Sequence, residues 1–532
     1  MGNTKTVAIA GAGVFGLSLA IALRARNYEV TVFDQHRYDE TEYQPGCDDQ
    51  VQAASVDHNK IVNLSTNTDR AIWLIDDFQF RASYGTKLHY QRLAIESRQA
   101  WVALNKTREH SGVDRGDLFV NCGMLRVQPS DQLGALEKET LANMEQEGLR
   151  DTQFVKSDPN DRERARNLGW DHKLLDFAIP GECPPKSFEA VLDSLAGYTK
   201  SSEACARFQK TAAAQGVTFR FGHEGKLESL VEEISPTSSH RKVIGLQTKD
   251  GVLHKADVVV IAAGSFSTQL LPDLSYQLES SGGSVVTFRI DKDDTELWEK
   301  YSPEKFPVIT WKSAKRTSDG KDIGSVYVSQ ELKTALSKLA IAFTNFQPAP
   351  NGTPFTQHDQ WSIPLPPKES QYVPQQAIDA IRTFVSIFLP EFEDAPFYST
   401  KLCWYTDSLD NSFVVDYVPT YAEKSVFVCT GGSGHGAKFL PVLGEHAADI
   451  LMKGEESSSY MRQFWRWRED LPRRNGLEES PDSPRNIGGL IKTVGSVVVI
   501  GEERSCIPKL IIAKEDPART RTFETGITTL KD

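Results

Sequence analysis

The sequence predicts an α/β protein in two parts: a parallel-sheet domain whose pieces are scattered along the chain, and an α+β domain built on a mixed sheet. Three observations predict this. A short apolar run at the N-terminus leads through a glycine-rich turn into a helical stretch. A second, almost wholly apolar run at 256–264 ends in small residues. A second glycine-rich strand-to-helix turn stands at 430–438, far from the first.

The first unit opens with Val7 to Ala10, apolar and short as a buried parallel strand must be. Gly11-Ala12-Gly13-Val14-Phe15-Gly16 follows with G-x-G-x-x-G spacing, then a helix from Leu17 to about Arg26, then a strand from Glu29 to Phe33 ending at Asp34. Gly11 permits the tight turn, Gly13 lets backbone approach a pyrophosphate, and Gly16 lets the helix pack closely on the strand. The free N–H groups of the helix N-terminus and its positive dipole end favour phosphate. Val14 and Phe15 stand in that first turn, and the Asp34 carboxylate suits a ribose diol. Strand, motif, helix and acid together predict a Rossmann-like dinucleotide site, although this motif alone does not separate FAD from NAD.

The later elements separate them. A helix at 201–215 and a strand at 216–221 form a crossover pair, and the 256–264 run brings Gly264 to the end of another strand. Near the C-terminus a strand at 426–429 leads into Gly434, His435, Gly436 and Lys438, then an amphipathic helix at 442–451. A nicotinamide enzyme has no need of this second cradle. FAD does, because its isoalloxazine end lies far from its pyrophosphate.

Bulk properties bound the rest. The chain has 532 residues and a net charge of −12, which gives no case for nucleic acid or an anionic membrane as partner. Its seven cysteines include no C-x-x-C pair, which fits a reducing compartment better than a secreted disulfide framework. There is no apolar run of transmembrane length, no signal-peptide pattern and no peroxisomal ending, so an intracellular, cytoplasmic protein is expected.

The sequence resembles the monomeric sarcosine oxidase group of FAD-dependent amine oxidases, above all the fungal members acting on fructosyl amino acids, saccharopine or pipecolate. The matching pieces are Gly11 to Gly16, Ala54 to Ile61, Arg81-Ala82-Ser83-Tyr84-Gly85, Ala196-Gly197-Tyr198, Asp257 to Gly264, Cys403-Trp404-Tyr405 and Gly434 to Lys438. They run in order from about Lys5 to Trp467. The resemblance implies FAD attached covalently at Cys403, with the substrate carboxylate held by Arg81 and Lys438. It also implies that Lys60 lies beside the flavin, and that Gly434, His435 and Gly436 face its pyrimidine edge. Lys338 is the candidate cation for reaction with oxygen, with Lys333 as the alternative. The implied reaction takes a hydride from the carbon beside a secondary amine, gives an imine, and reduces oxygen to hydrogen peroxide. A monomer is implied.

On this reading 1–110, 191–265 and 402–467 form the FAD domain, 111–190 and 266–401 form the substrate domain, and 468–532 is an extension without assigned role. In the second domain Val285 to Ile290 and Pro307 to Trp311 read as strands, and Gln376 to Phe388 as a helix with an apolar stripe. Two segments do not fit the family pattern. Residues 62–79 separate Asn59-Lys60-Ile61 from Phe80-Arg81, and both they and 328–347 have the ends expected of an unspliced, in-frame intron. Two competing functions are an FAD oxidoreductase tailoring a larger amino-acid-derived metabolite and a catalytically silent flavin-binding protein.

Overall fold

A computed structural model describes residues 4–36, 77–81, 83–84, 87–109, 116–177, 188–235, 239–288, 290–291, 293–312, 325–331, 334–348, 350, 360–469, 471 and 486–487. The apolar N-terminal run forms β1 (Thr6–Ala10), followed by α1 (Val14–Arg24) and β2 (Glu29–Asp34). β1 is central in a six-stranded sheet, between β2 and Val258–Ile261. Ile9 stands opposite Val32 on one side and Val260 on the other. Val426–Thr430 and Thr218–Phe221 extend the parallel order outward, and Val414–Tyr417 closes one edge antiparallel. Val7–Ala10 of β1 and all of Val258–Ile261 are apolar because both faces of these central strands are covered.

The two covers differ. Val7 and Ile9 point into a core with α1 and the helix Leu443–Lys453. A Cβ on Gly444 would sit 1.9 Å from the Ser18 carbonyl oxygen, so these two helices meet almost backbone to backbone. Ala8 and Ala10 point the other way, against Val243 and Leu246 of a three-stranded antiparallel sheet made by Leu227–Ile234, Arg241–Thr248 and Leu253–Lys255. Sequence reading passed over this sheet, whose first strand is half-exposed and carries charge at several positions.

The second sheet has eight strands and is mixed. Four further elements matter for the site: β3 (Leu278–Thr287), β4 (Thr334–Thr344), α2 (Gln375–Phe388) and β5 (Ser399–Ser408). The order is β5, β3, β4, Ser325–Glu331, Val308–Lys312, Met124–Val127, Ala190–Asp193 and Gln153–Val155. Only the join of Val308–Lys312 to Met124–Val127 is parallel. The stripe predicted on 376–388 is core: Ala377, Ile381, Phe384, Val385 and Phe388 pack with Val286, Leu402 and Trp404 of the sheet.

Two expectations differ from the structure. The strand predicted at 285–290 is the end of β3, which begins at Leu278; the Ser-Ser-Gly-Gly-Ser run inside it masks the strand pattern. The boundary at 401/402 falls inside β5, whose ten residues all pair with β3, and Ala190–Asp193 likewise belongs to the larger sheet. Within the second odd segment, 328–347, residues Thr334–Thr344 form a strand of the larger sheet. β4 is the strand that joins β3 to Ser325–Glu331, and without it the sheet would be cut in two. Of the other odd segment, 62–76 lie outside the described residues. Asp77–Phe80 forms a short strand paired with Gly197–Lys200. The tail beyond Ile487 lies outside the described residues.

Candidate active site

The turn between β1 and α1 is held by backbone. Gly11 has φ +115° and donates its N–H to the Phe33 carbonyl at 2.8 Å; a Cβ on it would lie 2.4 Å from the Ala262 oxygen. A Cβ on Gly16 would lie 1.9 Å from the Gly11 oxygen. α1 starts at Gly13 with no side-chain cap and no acid in its first turn, which leaves its N-terminal dipole to a ligand. Asp34 accepts from the Ala12 N–H at 2.7 Å and from the His36 N–H at 2.9 Å. Burial pushes its carboxyl up, and those backbone donors pull it back toward the ionised form.

A cavity of about 280 Å³ opens over this turn, walled by Gly11, Gly13, Val14, Phe15, Asp34, Gly264, Gly434, His435 and Gly436 among others. Gly264 and Gly434 have φ +53° and +66°, and a Cβ on either would meet nothing within 4 Å. Both therefore offer bare backbone to open space. The buried hydroxyl of Ser265, on the same wall, has no hydrogen-bond partner among the described residues. Bare backbone, an uncapped helix N-terminus and an unsatisfied hydroxyl fit a polar, phosphate-bearing ligand such as FAD. The two glycine-rich turns, distant in sequence, wall one cavity.

Arg81 and Lys438 converge on one ring. The Arg81 guanidinium carbon lies 5.1 Å from the Tyr84 ring centroid, and Lys438 Nζ lies 5.0 Å from it. Lys438 is 1% exposed. Burial first, then the Arg81 charge, lowers its ammonium well below the ordinary lysine range, and Asp193 opposes them. The Lys438 carbonyl accepts from Ser97 Oγ and, at 2.7 Å, from Trp101 Nε1.

Tyr84 also fixes His435. The imidazole Nε2 lies 3.1 Å from the Asn411 carbonyl oxygen, which can only accept, so Nε2 carries the proton. Nδ1 then accepts from the Tyr84 hydroxyl at 3.1 Å. Burial and the Lys438 charge hold His435 well below the usual histidine range, so the ring is neutral. Behind this group lies a buried ionic network that the sequence did not disclose. Arg126 Nη2 meets Glu137 Oε1 at 2.6 Å, and its Nη1 reaches Ser83 Oγ at 3.1 Å and Asp193 Oδ2 at 3.5 Å. Asp193 is fully buried.

Cys403 lies on β5, 2% exposed, two residues before Tyr405, which is on the cavity wall; Cys403 itself is not among the wall residues. The backbone of Lys338 stands opposite Val285, and its side chain lies outside the described residues. Lys60 and Lys333 lie outside them too. Sequence reasoning passed over Tyr84, Asp193 and Arg126. Tyr84 was in view inside the Arg-Ala-Ser-Tyr-Gly segment; Asp193 and Arg126 carried no motif.

The chain belongs to the family described as FAD dependent oxidoreductase (DAO), which matches residues 6–450. It is therefore an FAD-dependent oxidoreductase of α/β fold. Among its relatives is the L-saccharopine oxidase of Schizosaccharomyces pombe, 26% identical over 472 residues that span 88% of this chain and 94% of that protein. A monomeric sarcosine oxidase of Streptomyces avermitilis is 24% identical over 54% of this chain and 66% of its own length. A modified fructosyl peptide oxidase from Aspergillus nidulans superposes with a TM-score of 0.65 at 23% identity, over 88% of this chain and 94% of that one. No helix among the described residues is long and apolar enough to cross a membrane.

Proposed function

We propose that this chain oxidises the C–N bond of an N-substituted or cyclic amino acid to an imine and passes the electrons to oxygen as hydrogen peroxide. The observation that carries the reading is the meeting of Arg81 and Lys438 on the Tyr84 ring, beside His435 on the cavity wall. Two cations with one aromatic floor suit a carboxylate next to the reacting carbon. The relatives named above support the class, since saccharopine, sarcosine and fructosyl peptides all carry a substituted amino-acid nitrogen.

FAD, when bound, supplies the ring system that accepts the hydride and hands its electrons to oxygen. Residues of the chain do the rest. Gly11, Gly13, Val14, Phe15 and Gly16 hold the pyrophosphate, and Asp34 holds the ribose. Gly264 and the stretch Gly434, His435 and Gly436 present backbone to the cofactor. Cys403 is the covalent attachment point, Lys60 a flavin contact and Lys338 the cation that promotes reaction with oxygen. Arg81 and Lys438 bind the carboxylate and so orient the carbon beside the amine. Neutral His435 adds no further positive charge beside Arg81 and Lys438.

The test is peroxide release by the purified protein across sarcosine, pipecolate, proline, saccharopine and fructosyl amino acids, with the visible spectrum followed under anaerobic conditions. Peroxide with one of them, and bleaching without oxygen, is the expected result. A yellow protein inert to all of them overturns the carboxylate reading and points to a larger substrate or a silent flavin carrier.

A further inference from the structure

β5 carries a buried lysine that amine oxidation does not use. Side chains alternate along a strand. Leu402 and Trp404 enter the apolar core with α2. Lys401, Cys403 and Tyr405 take the opposite face, and Tyr405 is on the cavity wall. Lys401 and Cys403 are 6% and 2% exposed. Two positions apart on one face, their Cα atoms are about 6–7 Å apart, within reach of a lysine side chain. The unbroken ladder with β3 fixes both, Cys403 opposite Gly283 and Lys401 opposite Val285. Gly283 has no side chain with which to cover the thiol. Burial pulls the Lys401 ammonium down to about 7, against an opposing pull from Cys403. A lysine in that state is a neutral amine for much of the time near pH 7, and a neutral amine accepts protons.

We propose that Lys401 is the base that takes the Cys403 thiol proton when the chain installs its own flavin linkage. The inference rests on the reading of Cys403 as the attachment point. The Sγ–H proton passes to Lys401 Nζ, and one C–H bond of the flavin 8α-methyl group breaks, its proton going to solvent. The Sγ–C8α bond forms from the sulfur lone pair. The electron pair left by the C–H bond reduces the ring system. Dioxygen, the co-substrate of the proposed oxidase, then takes those two electrons with two protons and leaves as hydrogen peroxide.

The experiment compares wild type, Lys401→Met, Lys401→Arg and Cys403→Ser, each supplied with FAD. The readouts are the intact mass and the share of flavin that stays with acid-precipitated protein. Methionine keeps the side chain's length and removes a buried charge, so the fold and FAD binding should survive. The expected result is a wild type that retains its flavin and a Lys401→Met that binds FAD but links it ~100-fold more slowly, the scale of a lost general base. Lys401→Arg should be equally slow, because a guanidinium cannot take the proton. Linkage at the wild-type rate in either lysine variant overturns the proposal; for arginine it would mean that charge alone suffices. If Lys401→Met does not fold, Lys401→Arg decides. A wild type that sheds all its flavin overturns the Cys403 reading itself, and this inference with it. A wild type that links while Cys403→Ser does not leaves that reading standing, and only the lysine variants then bear on Lys401.

Discussion

The two ends of the site are built from opposite materials. Over the β1–α1 turn, glycines and backbone N–H groups do the work, and Asp34, the one acid on this wall among the described residues, is tied to two amides. At the other end Lys438, Asp193 and Arg126 put ionisable groups into the interior beside the half-buried Arg81, with Tyr84 and His435 close by. A cradle of backbone is fixed by sterics and has little to titrate. A cluster of buried charges costs stability, and its protonation answers to what binds there. The contrast predicts that changes at the first end act through shape, and that changes at the second act through charge.

The largest effect should come from the cradle. In Gly16→Ala the new Cβ would fall 1.9 Å from the Gly11 oxygen, and backbone cannot step aside as a flexible side chain does. The expected result is a colourless protein with a lower urea midpoint, a loss of about 3 kcal/mol, at the upper end for overpacking. A yellow Gly16→Ala of ordinary stability would break the claim that sterics govern this end.

At the charged end, function and stability should move in opposite directions. Lys438→Met should lower kcat/KM for a carboxylate substrate by about 100-fold, near 3 kcal/mol at 1.36 kcal/mol per tenfold. The same change should raise thermal stability, by ~1 kcal/mol or more, because it removes a buried charge. The sign of the pH dependence follows. The folded lysine binds its proton less tightly than the unfolded one, so between the two pKa values the unfolded chain holds more protons, and wild-type stability rises with pH there. A bound carboxylate favours the charged lysine, so KM should climb as pH rises past the lowered pKa, and Lys438→Met should flatten that climb. KM profiles with equal slope in both proteins would remove Lys438 from the carboxylate site.

How much of this contrast the sequence disclosed follows from the same physics. Gly11, Gly16 and Asp34 stand within one βαβ unit at fixed spacing, so local sequence is enough to place them. The ionic network joins positions 83, 126, 137 and 193, brought together by two neighbouring strands of the larger sheet, the helix Ala135–Gln146 and the segment that carries Ser83, and no local period marks it. β3 was half hidden because Ser280 to Ser284 reads as a turn, although partners on both sides hold it as a strand. Residues 328–347 looked foreign by codon pattern, yet they supply the strand that joins the two halves of the larger sheet. Sequence can show a strand's period; it cannot show that the strand is needed as a bridge.

The smallest effect sharpens the comparison most. Tyr84 serves the charged end in two ways, with its ring under Arg81 and Lys438 and with its hydroxyl on His435 Nδ1. Burial pushes the phenol's pKa up, so the hydroxyl remains a donor throughout the working pH range. Tyr84→Phe keeps the ring and deletes the hydroxyl, with its bond to His435 and its contact with Arg81. Loss of these part-buried hydroxyl contacts should lower stability by about 1 kcal/mol, readable as a shift in thermal midpoint. KM should stay within about twofold of wild type if the ring faces the two cations through its π-system, since phenylalanine offers a comparable face. A tenfold rise in KM would show instead that the hydroxyl, acting through the neutral imidazole, sets the position of the carboxylate site. The charged end would then depend on hydrogen-bond geometry as strictly as the cradle depends on its glycines.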